Sequence, residues 1–306
     1  MSTPLISILV PAYNEQEDLL PTLEAACSQD YPLKEVLFID DASTDQTVSI
    51  AESLIIKYPC LRIIRLSQNG GVAAARNVGL RDASGKIVVI LNADVVLPHD
   101  FLLRIIPHYV NGVDYLCIDS QVMNTEFLFP RFMQALHEYW YRGKPEKIEW
   151  TEGYSCRREA ALKIGGFPEI FPGAAGEDAV FGKKMAAAGY RKAYDPTIIA
   201  PHIAPDTTID FWKQWRGRGR GSSYLDFVYS ANSSTKPSFF KCLLKAIKNF
   251  VLMFLYFRKI PKLTSYSSHG RKDFLPFVGV WLLVLLSWQQ GYWIGIYEIR
   301  SRMNCA

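Results

Sequence analysis

Four apolar runs near the start of this sequence end in residues that can do chemistry: Pro11–Glu15, Asp40–Asp45, Gln68–Gly71 and Asn92–Asp94. Further on stand the acid pair Glu177-Asp178 behind the loop Gly173–Gly176, a histidine between Pro201 and Pro205, His202, and the segment Gln214-Trp-Arg-Gly-Arg218. Acid side chains supply the oxygen ligands that Mg²⁺ and Mn²⁺ prefer. Gly70 and Gly71 let backbone approach a ligand closely. A positioned carboxylate can take a proton from a hydroxyl, and the guanidinium groups of Arg216, Arg218 and Arg220 match phosphate. Each feature also has a plainer use. Asp40-Asp41-Ala-Ser-Thr-Asp45 is good turn and capping chemistry, and an acid pair suits the positive end of a helix. Asp94 serves equally as a strand-end acid, Tyr13 as a core aromatic, Gly-Gly as a turn, His202 as a structural residue and the arginines as a solvated face.

The elements between these stretches argue for a shared pocket. Leu5–Val10, Glu35–Ile39, Leu61–Leu66 and Lys86–Leu91 are Val/Ile/Leu-rich runs of strand length. Helical spacing separates them at Glu17–Gln29 and Thr47–Tyr58, and again at the Ala-rich Gly71–Arg81. Strands alternating with helices imply βαβ units and a parallel sheet covered on both faces. Ligands of such sheets bind at the carboxyl ends of the strands. Polar loops explain one such end easily and four poorly. Beyond them the sequence predicts a strand at Tyr115–Val122, an aromatic-rich helix at Phe127–Tyr141 and a helix at Glu177–Ala188. The segment Glu152–Arg158 and the turn Gly165-Gly166-Phe167-Pro168 lie between them.

The 306 residues suffice for one large α/β domain with an appendage. A net charge of +4 is too small to point to a nucleic-acid partner. The positive excess crowds into 213–272, beside apolar runs, which suggests an anionic membrane surface. Six scattered cysteines (27, 60, 117, 156, 242 and 305) without CxxC spacing fit a reducing compartment. The start MSTPLISILVPAYNE has no basic region or apolar stretch of signal-peptide length, so the catalytic part is expected in the cytosol.

In the C-terminal part, Phe239, Phe240, Leu243, Leu244, Ile247, Phe250, Val251, Phe254 and Leu255 form one helical stripe. Lys241, Lys245 and Lys248 lie on the other side, the pattern of an interfacial helix. Phe274–Ile299 is long enough to span about 30 Å of hydrocarbon. Lys and Arg flank both of its ends, a pattern that suits a hairpin or a helix in the interface better than a single span. A buried helix of the soluble domain is the other reading, with Trp281, Trp288, Tyr292 and Trp293 as core aromatics rather than interfacial anchors.

Taken in order, Ser7–Glu15, Phe38–Asp45, Asn69–Asn77 and Leu91–Asp94, then Gly165-Gly-Phe167 and Gly176-Glu-Asp178, make the chain resemble the family-2 glycosyltransferases. The resemblance covers roughly residues 4–221 and reaches His202 and Gln214–Arg218 more weakly. It implies the GT-A fold, a Rossmann-like, mostly parallel sheet with flanking helices, over 1–230. Residues 231–306 are then a basic, hydrophobic helical tail that associates with membrane.

The same resemblance assigns roles. Pro11, Tyr13 and Glu15 line the nucleoside pocket, Asp41 accepts from the base, and Asp40 orients the loop or ribose. Gly71 and Arg76 lie near the diphosphate. Asn92-Ala93-Asp94 stands where a DxD motif holds Mn²⁺ or Mg²⁺. Asn in place of the first acid removes one negative charge, Asp94 keeps the metal contact, and His202 completes the metal site. Asp178 is the catalytic base and Glu177 contacts the acceptor. Gln214 and Arg218 contact acceptor or diphosphate, although Gly217 breaks the pattern of the processive synthases.

The expected activity is inverting transfer from a nucleotide sugar, first of all a UDP-sugar, to a lipid-linked or glycan acceptor at the cytoplasmic membrane face. The sugar and the oligomeric state are left open. Two rivals remain: a non-catalytic nucleotide-sugar binding module, and a sugar nucleotidyltransferase, which needs a Gly-rich, Arg-containing loop after the first strand.

Overall fold

The computed structural model describes residues 3–144, 153–171, 173, 175–229 and 237–302. Glu152, Cys305 and the expected boundary at 230/231 lie outside them. The chain divides into two compact units. One comprises Met1–Gln121, Pro145–Glu169 and Glu177–Ile203; the other comprises Val122–Lys144, Ile170–Gly176 and Ala204–Ala306.

The first unit holds a sheet of β1 (Ile6–Ala12), β2 (Lys34–Asp40), β3 (Leu61–Arg65), β4 (Ile87–Ile90), β5 (Tyr115–Val122), β6 (Tyr154–Arg157) and β7 (Lys192–His202). Their spatial order is β3-β2-β1-β4-β6-β5-β7. β1 to β4 run parallel, as their unbroken apolar runs require, whereas β6 is antiparallel to both β4 and β5. Every residue of β1 is buried. Helices α1 (Leu19–Cys27), α2 (Thr47–Leu54) and α3 (Val72–Asp82) connect the first four strands. α4 (Phe101–Val110) follows β4, α6 (Arg158–Lys163) follows β6, and α7 (Glu177–Ala187) precedes β7.

From β1 the chain passes to β2 on one side, and β4 joins β1 on the other. The ends of β1 and β4 therefore flank a topological switch point, where open α/β sheets bind ligands. The helix α4 was not foreseen. Its buried Phe101, Leu102, Ile105 and Tyr109 have helical spacing, but Pro107 within it mimics a stop.

The second unit is helical: α5 (Leu128–Tyr141), α8 (Thr208–Tyr224), α9 (Phe239–Leu255), the one-turn α10 (Ile260–Leu263) and α11 (Phe274–Arg302). Phe132, Phe211, Phe277 and Trp281 form its core. α11 lies against α8 so closely that a Cβ on Gly291 would collide with the Arg216 carbonyl, and one on Gly219 with that of Trp288. Arg131 on α5 donates to both carboxylate oxygens of the buried Asp273, at 2.8 and 3.0 Å, just before α11 begins.

Candidate active site

The loops after β1 and β2 interlock. Asn14 has a left-handed φ of 56°, a conformation asparagine tolerates better than most residues. Its Oδ1 accepts from the Thr44 N–H at 2.8 Å, and its own N–H donates to Ser43 Oγ at 3.0 Å. The Glu15 N–H donates to Thr47 Oγ1 at 2.8 Å. Asp40 Oδ1 accepts from the Ser43 N–H at 3.1 Å, so the turn chemistry of the acidic run is realised.

The buried Asp41 does something the sequence did not foretell. Its two oxygens accept from the successive N–H groups of Gly70 and Gly71, each at 2.8 Å, fastening the loop after β3 to the end of β2. Gly71 has φ 85°, a region costly for any side chain. Pro11 is buried at the end of β1, and Tyr13 is exposed just beyond it.

Asn92, Ala93 and Asp94 follow β4 directly. Arg76, on α3, is buried and reaches two parts of this region at once. Its Nη1 donates to Glu177 Oε1 at 2.8 Å and its Nη2 to Asn92 Oδ1 at 2.9 Å. A guanidinium has no acceptor, so the Asn92 amide must turn its oxygen inward and its NH₂ away. The Arg76 guanidinium also sits 5.2 Å from the centre of the Phe167 ring, which stacks on Phe181. Burial pushes the Glu177 carboxyl up and Asp178 adds to this, while Arg76 pulls it down. Glu177 Oε2 is buried without a hydrogen-bond partner among the described residues. Asp178 is half-buried at the head of α7, and its Oδ1 accepts from the Ala179 N–H at 2.7 Å.

Asn77, next to Arg76, closes the Asn69–Asn77 motif. It holds the Gly-Gly-Phe turn: its Oδ1 accepts from the Phe167 N–H, and its Nδ2 donates to the Phe167 carbonyl, both at 2.8 Å. The same Nδ2 donates to Glu169 at 2.7 Å. The motif's order was the only signal for this contact.

Glu15 is half-buried and its pKa is raised from 4.5 to about 7, first by burial and then by the negative charge of Asp94, with Asp18 and Asp45 adding. The ends of β1 and β4 thus bring two carboxylates into electrostatic contact. His202 enters through an isolated antiparallel bridge to Val95, the residue after Asp94. Its Nδ1 lies 3.0 Å from Ser120 Oγ. A metal on Nε2 would require Nδ1–H to donate to that hydroxyl, the orienting bond that metal-binding histidines use.

Among the described residues no three His, Cys, Asp or Glu gather into a metal cage. Mg²⁺ and Mn²⁺ bound together with substrate phosphates need only one or two protein ligands. One carboxylate, Asp94, and one imidazole, His202, fit that kind of site. Gln214 and Arg218 lie on α8 in the second unit. The Arg218 guanidinium rests 4.7 Å from the centre of the Trp215 ring, and Gln214 Oε1 is buried without a hydrogen-bond partner among the described residues.

The family model for glycosyl transferase family 2 matches residues 7–171, more than half of the chain. This chain belongs to glycosyltransferase family 2. The glycosyltransferase AglE of Haloferax volcanii is 29% identical over 228 residues, 71% of this chain and 73% of that protein. A beta-monoglucosyldiacylglycerol synthase of Synechocystis is 35% identical over 112 residues, 35% of this chain but only 23% of that one. Among solved structures, the mannosyltransferase PcManGT of Pyrobaculum calidifontis, in complex with GDP-Man and Mn²⁺, superposes with a TM-score of 0.61 at 22% identity. The match covers 98% of this chain and 88% of that one. TarS 1–349 of S. aureus, in complex with UDP-GlcNAc, gives 0.54 at 17% identity, over 94% and 90%. The fold is GT-A, and the chain is a glycosyltransferase that uses a nucleotide sugar.

Proposed function

We propose that this glycosyltransferase carries out single-displacement transfer, with inversion, from a nucleoside-diphosphate sugar to a hydroxyl of a lipid-linked or glycan acceptor. One observation carries the reading: Arg76 ties the acid pair at the head of α7 to the Asn92–Asp94 strand end. The two halves of a displacement site are held in one hydrogen-bonded unit.

In this reading Asp178 takes the acceptor proton as the acceptor oxygen bonds to the anomeric carbon. The bond to the diphosphate oxygen breaks, and its electron pair leaves with the nucleotide. Asp94 and His202 would hold a Mn²⁺ or Mg²⁺ ion, which would supply charge neutralisation for the leaving diphosphate. Pro11, Tyr13, Glu15, Asp40 and Asp41 line the nucleoside side, and Gly71, Arg76 and Ala93 lie toward the diphosphate. Asn92 presents its NH₂ to ribose. Glu177 holds the acceptor side through Arg76, and Gln214 and Arg218 serve acceptor or diphosphate. UDP is the first nucleotide to test, because TarS was solved with UDP-GlcNAc; GDP is the second, because PcManGT was solved with GDP-Man.

A lipid-linked acceptor at the cytoplasmic membrane face is supported by the apolar, basic helices of the C-terminal part, read as a membrane-associating tail over 231–306 behind a transferase domain over 1–230. The beta-monoglucosyldiacylglycerol synthase among the relatives has a name that points the same way.

The test is a panel of UDP-, GDP- and dTDP-sugars with Mn²⁺ or Mg²⁺, following released nucleotide with and without lipid extract. Metal-dependent release from one donor, increased by lipid, is the expected result. A donor that binds and never turns over, with any acceptor, would favour a binding module.

A further inference from the structure

α9 is an unusual helix for a folded protein. Its buried side carries small residues, Cys242 and Ala246. Its large apolar residues point away from the protein: Phe240, Leu244, Ile247, Phe250, Val251 and Phe254 are each between 43 and 67% exposed. At about 100° per residue these six fall on one continuous arc, and Lys241, Lys245 and Lys248 border one edge of it. From 237 to 272 the chain has eight Lys or Arg and no Asp or Glu. An apolar stripe of this size left in water marks an interaction surface.

α11 passes the length test for a membrane span, but its surroundings argue against that role. Phe277, Val280, Trp281, Val284 and Tyr292 are buried within the second unit. The glycine contacts with the α8 backbone bind α11 to a helix that carries Arg216, Arg218 and Arg220. Arg220 further pairs with Glu298 of α11 at 2.8 Å. A helix locked along an arginine-rich partner cannot enter hydrocarbon without taking those charges with it, which is strongly unfavourable.

We infer that the protein is monotopic: α9 lies in the plane of an anionic phospholipid bilayer, with its apolar arc among the acyl chains and Lys241 and Lys248 at the phosphates, while α11 does not cross the bilayer. The occupant is an anionic bilayer, because Lys241 and Lys248 border the arc, while Lys245 is paired with Asp226 at 3.0 Å, and basic residues beside an apolar arc are drawn to an anionic lipid surface. This deepens the membrane part of the proposed function and does not depend on the donor or the chemistry.

The experiment is flotation of the full-length protein with vesicles of phosphatidylcholine alone, or mixed with roughly one third phosphatidylglycerol. Binding should require the anionic lipid, weaken in high salt, and leave both ends of α11 open to protease added outside sealed vesicles. The double variant F250S/F254S should lose about tenfold or more in vesicle affinity, with unchanged circular dichroism and unchanged nucleotide release in detergent. K241Q/K248Q should weaken anionic binding alone.

Equal binding to neutral vesicles would overturn the anionic occupant, and protection of one end of α11 from protease added outside sealed vesicles would overturn the monotopic arrangement. A dimer in light scattering that F250S/F254S dissolves, without vesicle binding by the wild type, would assign the face to a second copy. Failure of donor turnover with intact flotation would count against the proposed chemistry and leave this surface in place.

Discussion

Arg76 and Glu177 are 101 positions apart in the chain, yet their side chains meet at 2.8 Å with 2 and 3% exposure. A buried ion pair of this kind rarely adds much stability over an apolar replacement, but breaking it by removing one partner is costly. Its value here is positional, because the same guanidinium also fixes Asn92.

Replacing Arg76 by Met should therefore destabilise the protein by about 3–5 kcal/mol in denaturant unfolding, because Glu177 is left buried and uncompensated. The double variant R76M/E177M should recover most of that loss while remaining inactive. If R76M alone unfolds like the wild type, the pair is not the strut described.

Asn92→Asp restores a carboxylate beside Asp94 while Arg76 still neutralises its neighbourhood. Mn²⁺ binding, measured by calorimetry, should tighten by about tenfold, or ~1.4 kcal/mol. Unchanged affinity would place residue 92 outside the reach of the metal.

Asp178→Asn should lower kcat by roughly 10²–10⁴, the usual worth of a positioned base. The melting temperature should barely move, since a half-buried first-turn acid contributes only about 0.3–1 kcal/mol. Retention of full turnover would remove Asp178 from the role of base.

Asp41→Ala removes both acceptors of the Gly70 and Gly71 N–H groups. Both glycines are solvent-accessible, so water replaces much of the loss, and stability should fall by only about 1 kcal/mol. Donor affinity should fall further, because the loop after β3 is released from β2. Equilibrium nucleotide binding checks this against thermal melting.

Glu15 predicts a pH dependence. Its pKa is raised from 4.5 to about 7 in the folded state, so folding binds a proton more tightly than the unfolded chain does. Its contribution to stability is complete below about 4.5, shrinks through the interval and is lost as pH rises through about 7. Glu15→Gln should flatten the stability profile between those pH values, as read by denaturant titrations. An unchanged slope would show that another group governs that interval.

Much of this molecule was legible because its cues are local. Continuous apolar runs bounded by polar turns specify buried parallel strands whatever lies elsewhere, so β1 to β4 and the alternation with α1 to α3 followed from residue order. The stretch Tyr115–Val122 coincides with β5 to the residue. An amphipathic stripe specifies one helix and a long apolar run another, so α9 and α11 were predictable as elements. The acids and glycines at the strand ends were visible for the same reason.

Tertiary structure decided what those residues touch. The clamp of Asp41 on Gly70 and Gly71, the Asn77 hold on Phe167 and the Arg76 bridge between Glu177 and Asn92 join positions 16 to 101 residues apart. No period or local propensity encodes such contacts; they exist only once the sheet has brought the strand ends side by side. The same holds for the two apolar helices. By composition α11 resembles a span and α9 a shorter amphipathic helix, and only packing reveals which apolar face is buried against protein and which is left for another partner.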